Sequence, residues 1–147
     1  MTEVTGILAL TLMKTQIEQN EILYRAIKRS RPEWLNEGKP TPEMFKDNAG
    51  VSVDRGDNRS LHDVIAFMET GIFKKRLKGV ASLSADQCMS EPYPTKVVAD
   101  PSTDNPYHAN IFLNDDMGLM TLQAIKLANI SKIEFINKSM SWTQKTT

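Results

Sequence analysis

Apolar residues along this chain fall into short alternating runs and a smaller number of helical stripes. "EILYRAI" (21–27) is rich in β-formers and reads as a buried strand. "GVSVDR" (50–55) alternates, so Val51, Val53 and Arg55 share one face while Ser52 and Asp54 share the other. "GVASLS" (79–84), "TKVVAD" (95–100), "YHANIFL" (107–113) and "KIEFI" (132–136) read as further strands. On "YHANIFL" the period of two sets His108 and Asn110 opposite Tyr107, Ala109 and Ile111.

The clearest helix is "SLHDVIAFMETG". Ser60 is its N-cap, Asp63 completes a capping box, Leu61, Val64, Ile65 and Met68 recur at helical spacing, and Gly71 supplies the stop. A second helix runs from Asp115 to about Ile130, where Leu119, Leu122, Ile125, Ala124, Leu127 and Ala128 give a broad apolar face. Thr41 and Pro42 open a short helix in "TPEMFKD" (41–47), and "SADQCMSE" is a short helix or turn. "GDN" (56–58) and "DPSTDNP" (100–106) carry turn chemistry. "KRSRPEWLNEGKP" is a loop exposing Trp34, and "NKSMSWTQKTT" is a polar tail expected to be loose. Strands interleaved irregularly with helices predict an α+β fold: one compact domain, a mostly antiparallel sheet of about five strands and two main helices. That domain spans residues 1–147, with 1–20 and 138–147 peripheral.

Composition narrows the classes. The chain has 147 residues, 40% hydrophobic and 24% charged, which is a globular balance. Its 18 basic and 18 acidic residues cancel, so no global field draws it to nucleic acid or an anionic membrane. The early apolar run in "TGILALTLMK" lacks a basic n-region before it and is too short to span a bilayer, which needs about 20 residues. It reads as a strand, a short helix or a frayed tail. The single cysteine, Cys88, has no intramolecular disulfide partner and no thiolate zinc set, which fits a reducing cytoplasm. With no glycine-rich phosphate loop and no metal-ligand spacing around the two histidines, neither cofactor nor metal is expected.

The candidate chemistry rests on single residues from separate strands. Arg25 sits inside an apolar strand, where an arginine either pairs with a carboxylate or projects into a cleft. A salt bridge to Asp54 across adjacent strands is the structural alternative. The chemical alternative is a cleft in which Arg25 holds an anion, His108 is the acid/base, and Ser52 or Asp54 orients it. Tyr24, Arg55, Arg59, His62 and Asn110 are the candidate binding residues around this set. Lys28, Arg29, Arg31 and Trp34, and the run "KKRLK" (74–78), are candidates for phosphate contact and stacking.

The set "LYRAI", "GVSVDR", "LKGVASL" and "DNPYHANI" resembles a family of small bacterial proteins with the same order of motifs, over residues 22–113. The resemblance implies a cytosolic prokaryotic or phage-associated protein of a multi-gene system, and it brings no reaction with it. A strand arginine, a serine on a middle strand and a late polar residue (Asn110 or Glu134) are also similar to the plan of ADP-ribosyltransferase-like folds. There such residues bind a dinucleotide, and the usual late glutamate has no clear counterpart here.

Three functions fit these residues. The first is an accessory, defence or immunity-type protein that binds a protein partner through exposed Trp34, Tyr93 and Trp142. The second is an enzyme acting on a nucleotide or phosphodiester through Arg25 and His108. The third is a nucleic-acid-binding module using Arg29, Arg31, Lys74, Lys75 and Arg76. No motif decides between catalysis and binding, and oligomeric state is not legible.

Overall fold

The computed structural model describes residues 16–18, 20–47, 49–71 and 73–143. The run "TGILALTLMK" lies outside them. The fold is α+β and is built on one antiparallel sheet of six strands in the order β6-β7-β4-β1-β5-β8. The strands are β1 (Ile22–Lys28), β4 (Val51–Arg55), β5 (Leu77–Ser84), β6 (Lys96–Ala99), β7 (His108–Phe112) and β8 (Lys132–Ile136). A small ribbon, β2 (Leu35–Asn36) with β3 (Lys39–Pro40), stands apart from the sheet. Among the described residues there are three α-helices: α1 (Leu61–Thr70), α2 (Ala85–Met89) and α3 (Met117–Ile130).

Both faces of the sheet are covered, unequally. Leu23, Ile27, Val51, Val53, Leu83 and Ile111 form one face and pack under α3 and the 3₁₀ turn Pro42–Phe45, whose Met44 and Phe45 are fully buried. On the opposite face Ala26 and Val80 meet Val64 and Met68 of α1, with Leu77. Ser60 caps α1 by accepting from Asp63 N at 3.1 Å, and Asp116 caps α3 by accepting from Leu119 N at 3.0 Å. Capping satisfies donors that the first helical turn otherwise leaves open. The turn after β4 uses the left-handed region at Asp57 (φ 49) and Asn58 (φ 60), as its residue types predict. Gly56 is needed there because its N–H donates to Ile22 O, and a Cβ would lie 2.9 Å from that oxygen.

Several expectations are corrected. The segment opened by Thr41 and Pro42 is a 3₁₀ turn, and Thr41 spends its hydroxyl on Glu33 O at 2.8 Å instead of capping. On α3 the inward face is Gln123, Ala124, Leu127 and Ala128, whereas Leu119, Leu122 and Ile125 point outward at 38–40% exposure. Residues 137–143 are not loose. Trp142 packs against the main core, Lys78 Nζ sits 5.3 Å from its ring, and Thr143 N donates to Arg29 O at 2.9 Å. Among the described residues no helix is long and apolar enough to cross a membrane.

Candidate functional site

The sheet is forked. β1 and β4 pair only at Leu23–Arg55 and Tyr24–Asp54. Beyond that point β1 stays with β5 as far as Lys28, and β4 stays with β7 back to Val51. The two halves of the sheet therefore diverge, and a cavity of about 580 Å³ opens in the fork. Such a volume lies within the range of small-molecule sites, roughly 300–1,000 Å³.

Arg25 bridges the fork. Its Nη1 donates to Ser52 O at 2.8 Å and its Nη2 to Met44 O at 3.0 Å, and the guanidinium carbon lies 4.6 Å from the centre of the Trp34 ring. Arg25 is only 8% exposed, yet no carboxylate of the described residues lies within ion-pair distance, and its Nε has no acceptor. Two carbonyl dipoles and one aromatic face thus carry most of the balance of a buried charge. Burial pulls the Arg25 pKa down to about 10, and Asp47 pulls it back up only at longer range. Lys28 is also lowered, first by burial and then by Arg25, Arg31 and Arg76 beside it. Three arginines close enough to lower one lysine make this wall of the cavity locally positive. Part of its charge is compensated where Arg31 meets Glu33 at 3.6 Å and Lys46 meets Glu43 at 3.1 Å, both at the cavity wall.

The other wall is polar. Asp54 and His108 are direct neighbours in the β4–β7 register, and both line the cavity. His108 Nδ1 lies 3.1 Å from Asp100 O and 3.3 Å from Asp100 Oδ2. Two acceptors at that nitrogen place the proton of the neutral ring on Nδ1 and leave Nε2 as the basic atom. Asp54 is 5% exposed and accepts from Asn105 Nδ2 at 2.8 Å. Burial raises its pKa, against smaller lowering effects of Asn105, Arg59 and His108.

That shift has a sign that can be tested. A carboxyl whose folded pKa is raised binds its proton more tightly when folded, so stability falls as pH rises through the carboxylate range. Asp54→Asn removes the ionisation and keeps an acceptor for Asn105. It is expected to raise the melting temperature at neutral pH, with the gain fading as pH approaches the ordinary value of 3.8. A lower melting temperature at neutral pH would contradict the reading of Asp54 as a buried, incompletely compensated charge.

The structure sorts the sequence candidates. Arg25, Ser52, Asp54, His108 and Tyr24 all line the cavity. The Arg25–Asp54 salt bridge does not form. Tyr24 is the residue opposite Asp54, so Arg25 projects to the other face of the sheet. Asp100, rather than Asp54 or Ser52, orients His108, and Ser52 meets Arg25 through its carbonyl. Arg55 is structural: its Nε lies 2.6 Å from Glu21 Oε2 and its Nη2 2.8 Å from Glu21 Oε1, with both side chains 5% exposed. Arg59 donates to Arg55 O and Gly56 O and stacks 3.4 Å from the Tyr107 ring centre, outside the cavity. His62 is exposed on α1 and does not reach the cavity. Asn110 donates to Asp100 Oδ2 at 3.2 Å, and Glu134 accepts from Ser82 Oγ at 2.9 Å; neither lines the cavity. Cys88 is fully buried, with its thiol pushed up to about 12 by burial, which leaves it without nucleophilic character.

The two basic segments are also split. Lys28, Arg31 and Arg76 converge on the cavity, whereas Lys78 is buried and donates to Asn137 O and Met140 O. Trp34, expected to be exposed, is 7% exposed beneath Arg25. Sequence reasoning missed Asp100 and Asn105. The period-two pattern of β7 held a hint, since pairing β6 with β7 brings the end of β6 beside His108. Among the described residues no cluster of acidic, histidine or cysteine side chains is arranged to hold a metal.

Fold and site together define the class: a forked antiparallel α+β sheet with a mixed-charge cavity built around a buried arginine. No protein-family model, curated protein or solved structure matches the chain. Function must therefore be read from the chemistry of the cavity itself.

Proposed function

We propose that this protein binds a small phosphate-bearing ligand of the nucleotide or phosphodiester class in the fork between β1 and β4. The observation that carries this reading is Arg25. It is a buried guanidinium with no contacting carboxylate among the described residues, and two of its five N–H donors are used in bonds to them. Guanidinium groups suit phosphate because their fork matches its oxygens. Lys28, Arg31 and Arg76 extend the positive wall, and apolar Met68 and Phe73 line the cavity beside it. His108, with Asp100 behind it, is the group suited to proton transfer on a bound ester. Isothermal titration with nucleoside monophosphates should give saturable binding that weakens with added salt. Binding absent at millimolar ligand would overturn the reading.

A second reading, a protein-binding role, is favoured by α3. Met117 is 72% exposed, and Leu119, Leu122 and Ile125 form an outward apolar stripe. Such a stripe is where a partner would seat. If it does, Leu122→Glu with Ile125→Lys should leave nucleotide binding intact and abolish co-purification of a partner from host lysate. Unchanged recovery of that partner would count against it.

A further inference from the structure

We propose that the Asp54 end of the cavity reads the N–H edge of a nucleobase, so that the ligand is a nucleotide held by its base as well as its phosphate, guanine fitting best. This rests on the phosphate reading of the Arg25 end and adds a second pole to it.

Asp54 is 5% exposed, and its Oδ1 accepts from Asn105 Nδ2. Its Oδ2 receives no hydrogen bond from the described residues and is not among their sealed-off unpartnered atoms. Asn105, His108 and Arg59 around it are committed elsewhere. Asn105 is locked, its Oδ1 accepting from Tyr107 N at 3.0 Å and its backbone N donating to Ser102 Oγ at 3.0 Å. His108 is held by Asp100, and Arg59 is spent on two backbone carbonyls and the Tyr107 ring. The cavity therefore offers, at Oδ2, an acceptor with no donor among the described residues. An ionised carboxylate in that setting rejects a carbonyl or a phosphate and favours N–H donors. Guanine presents a ring N–H and an amino group side by side, two donors that can converge on the open Oδ2, whereas adenine presents only an amino group beside ring acceptors that a carboxylate repels.

Arg25 is clamped on Ser52 O, and Asp54 lies two residues further along the same strand. Their side chains project to opposite faces of the sheet and both line the cavity, so a ligand that meets both poles passes through the opening between β1 and β4. Ala26, Met68 and Phe73 supply an apolar wall for a base to lie on.

The test is isothermal titration of the full chain with 5′-GMP, 5′-AMP and ribose 5-phosphate. GMP should bind at least tenfold more tightly than ribose 5-phosphate, with AMP weaker than GMP. Asp54→Asn should bring GMP down to the level of ribose 5-phosphate while leaving ribose 5-phosphate unchanged. Equal affinity for all three, AMP tighter than GMP, or an equal loss for all three in Asp54→Asn would overturn the base reading and leave the phosphate reading standing. If no phosphate ester binds, the phosphate reading fails. Guanosine then decides the Asp54 pole: binding that Asp54→Asn abolishes upholds it, and no binding overturns it.

Discussion

Replacing Arg25 with alanine should weaken ligand binding by about one to two orders of magnitude while leaving a folded, less stable protein. The two effects have separate causes. The guanidinium is the buried positive group of the cavity, and a charged hydrogen bond lost from a bound anion is worth about 1.5–3 kcal/mol, or roughly 10- to 150-fold in affinity. The same side chain ties Ser52 O on β4 to Met44 O on the 3₁₀ turn. Its removal leaves those carbonyls without that donor and vacates the space over the Trp34 ring. Burying a charge without a counter-ion is itself unfavourable, so part of this loss is returned. The expected net cost is about 1–3 kcal/mol, a fall in melting temperature of several degrees for a chain this size. Arg25→Lys separates the roles further. It keeps the charge but cannot span both carbonyls with a planar fork, so weakened yet measurable binding is expected. Full-strength binding by Arg25→Ala, measured by titration, would remove Arg25 from the site.

The largest effect on stability should come from Glu21→Ala. Glu21 and Arg55 form a two-point ion pair at 2.6 and 2.8 Å, with both side chains 5% exposed. The bond to Glu21, ahead of the opposing effect of burial, raises the Arg55 pKa. Removing the acid leaves a guanidinium in the interior, and breaking a buried pair from one side costs about 3–5 kcal/mol. The pair also fastens the segment before β1 to the end of β4, beside the only two residue pairs that join those strands. A loss of about 10 °C or more in melting temperature is therefore expected. Replacing both residues with apolar ones of similar volume should recover much of it, because no unpaired charge remains. A change within about 2 °C for Glu21→Ala in thermal denaturation would show that water reaches Arg55 and that the pair contributes little.

The residues behind these effects are unevenly legible in the sequence. Arg25 stands out because a charged residue inside "LYRAI" breaks the apolar pattern of a strand. Its partner is not legible, because adjacency of two strands does not give their register. A shift of one residue moves a side chain to the opposite face, and the observed pairing sets Tyr24, not Arg25, against Asp54. His108 is legible from alternation on β7, but Asp100, eight positions earlier, depends on how β6 lies against β7. The outward turn of Leu119, Leu122 and Ile125 is hidden for another reason. α3 is apolar around most of its circumference, so periodicity alone does not choose which face meets the sheet.

Local signals in the chain are enough to set the elements. Alternation marks the strands, Ser60 marks a helix start, and "GDN" marks a turn, because each depends on interactions within a few residues. From these the α+β class follows. The site does not. It exists because β1 and β4 separate after two pairs, leaving Arg25 to span the opening, and because β7 and the 105–108 turn bring Asn105 and His108 to Asp54. Contacts between residues so far apart in the chain are selected by packing of the whole sheet, and no short stretch of sequence encodes them.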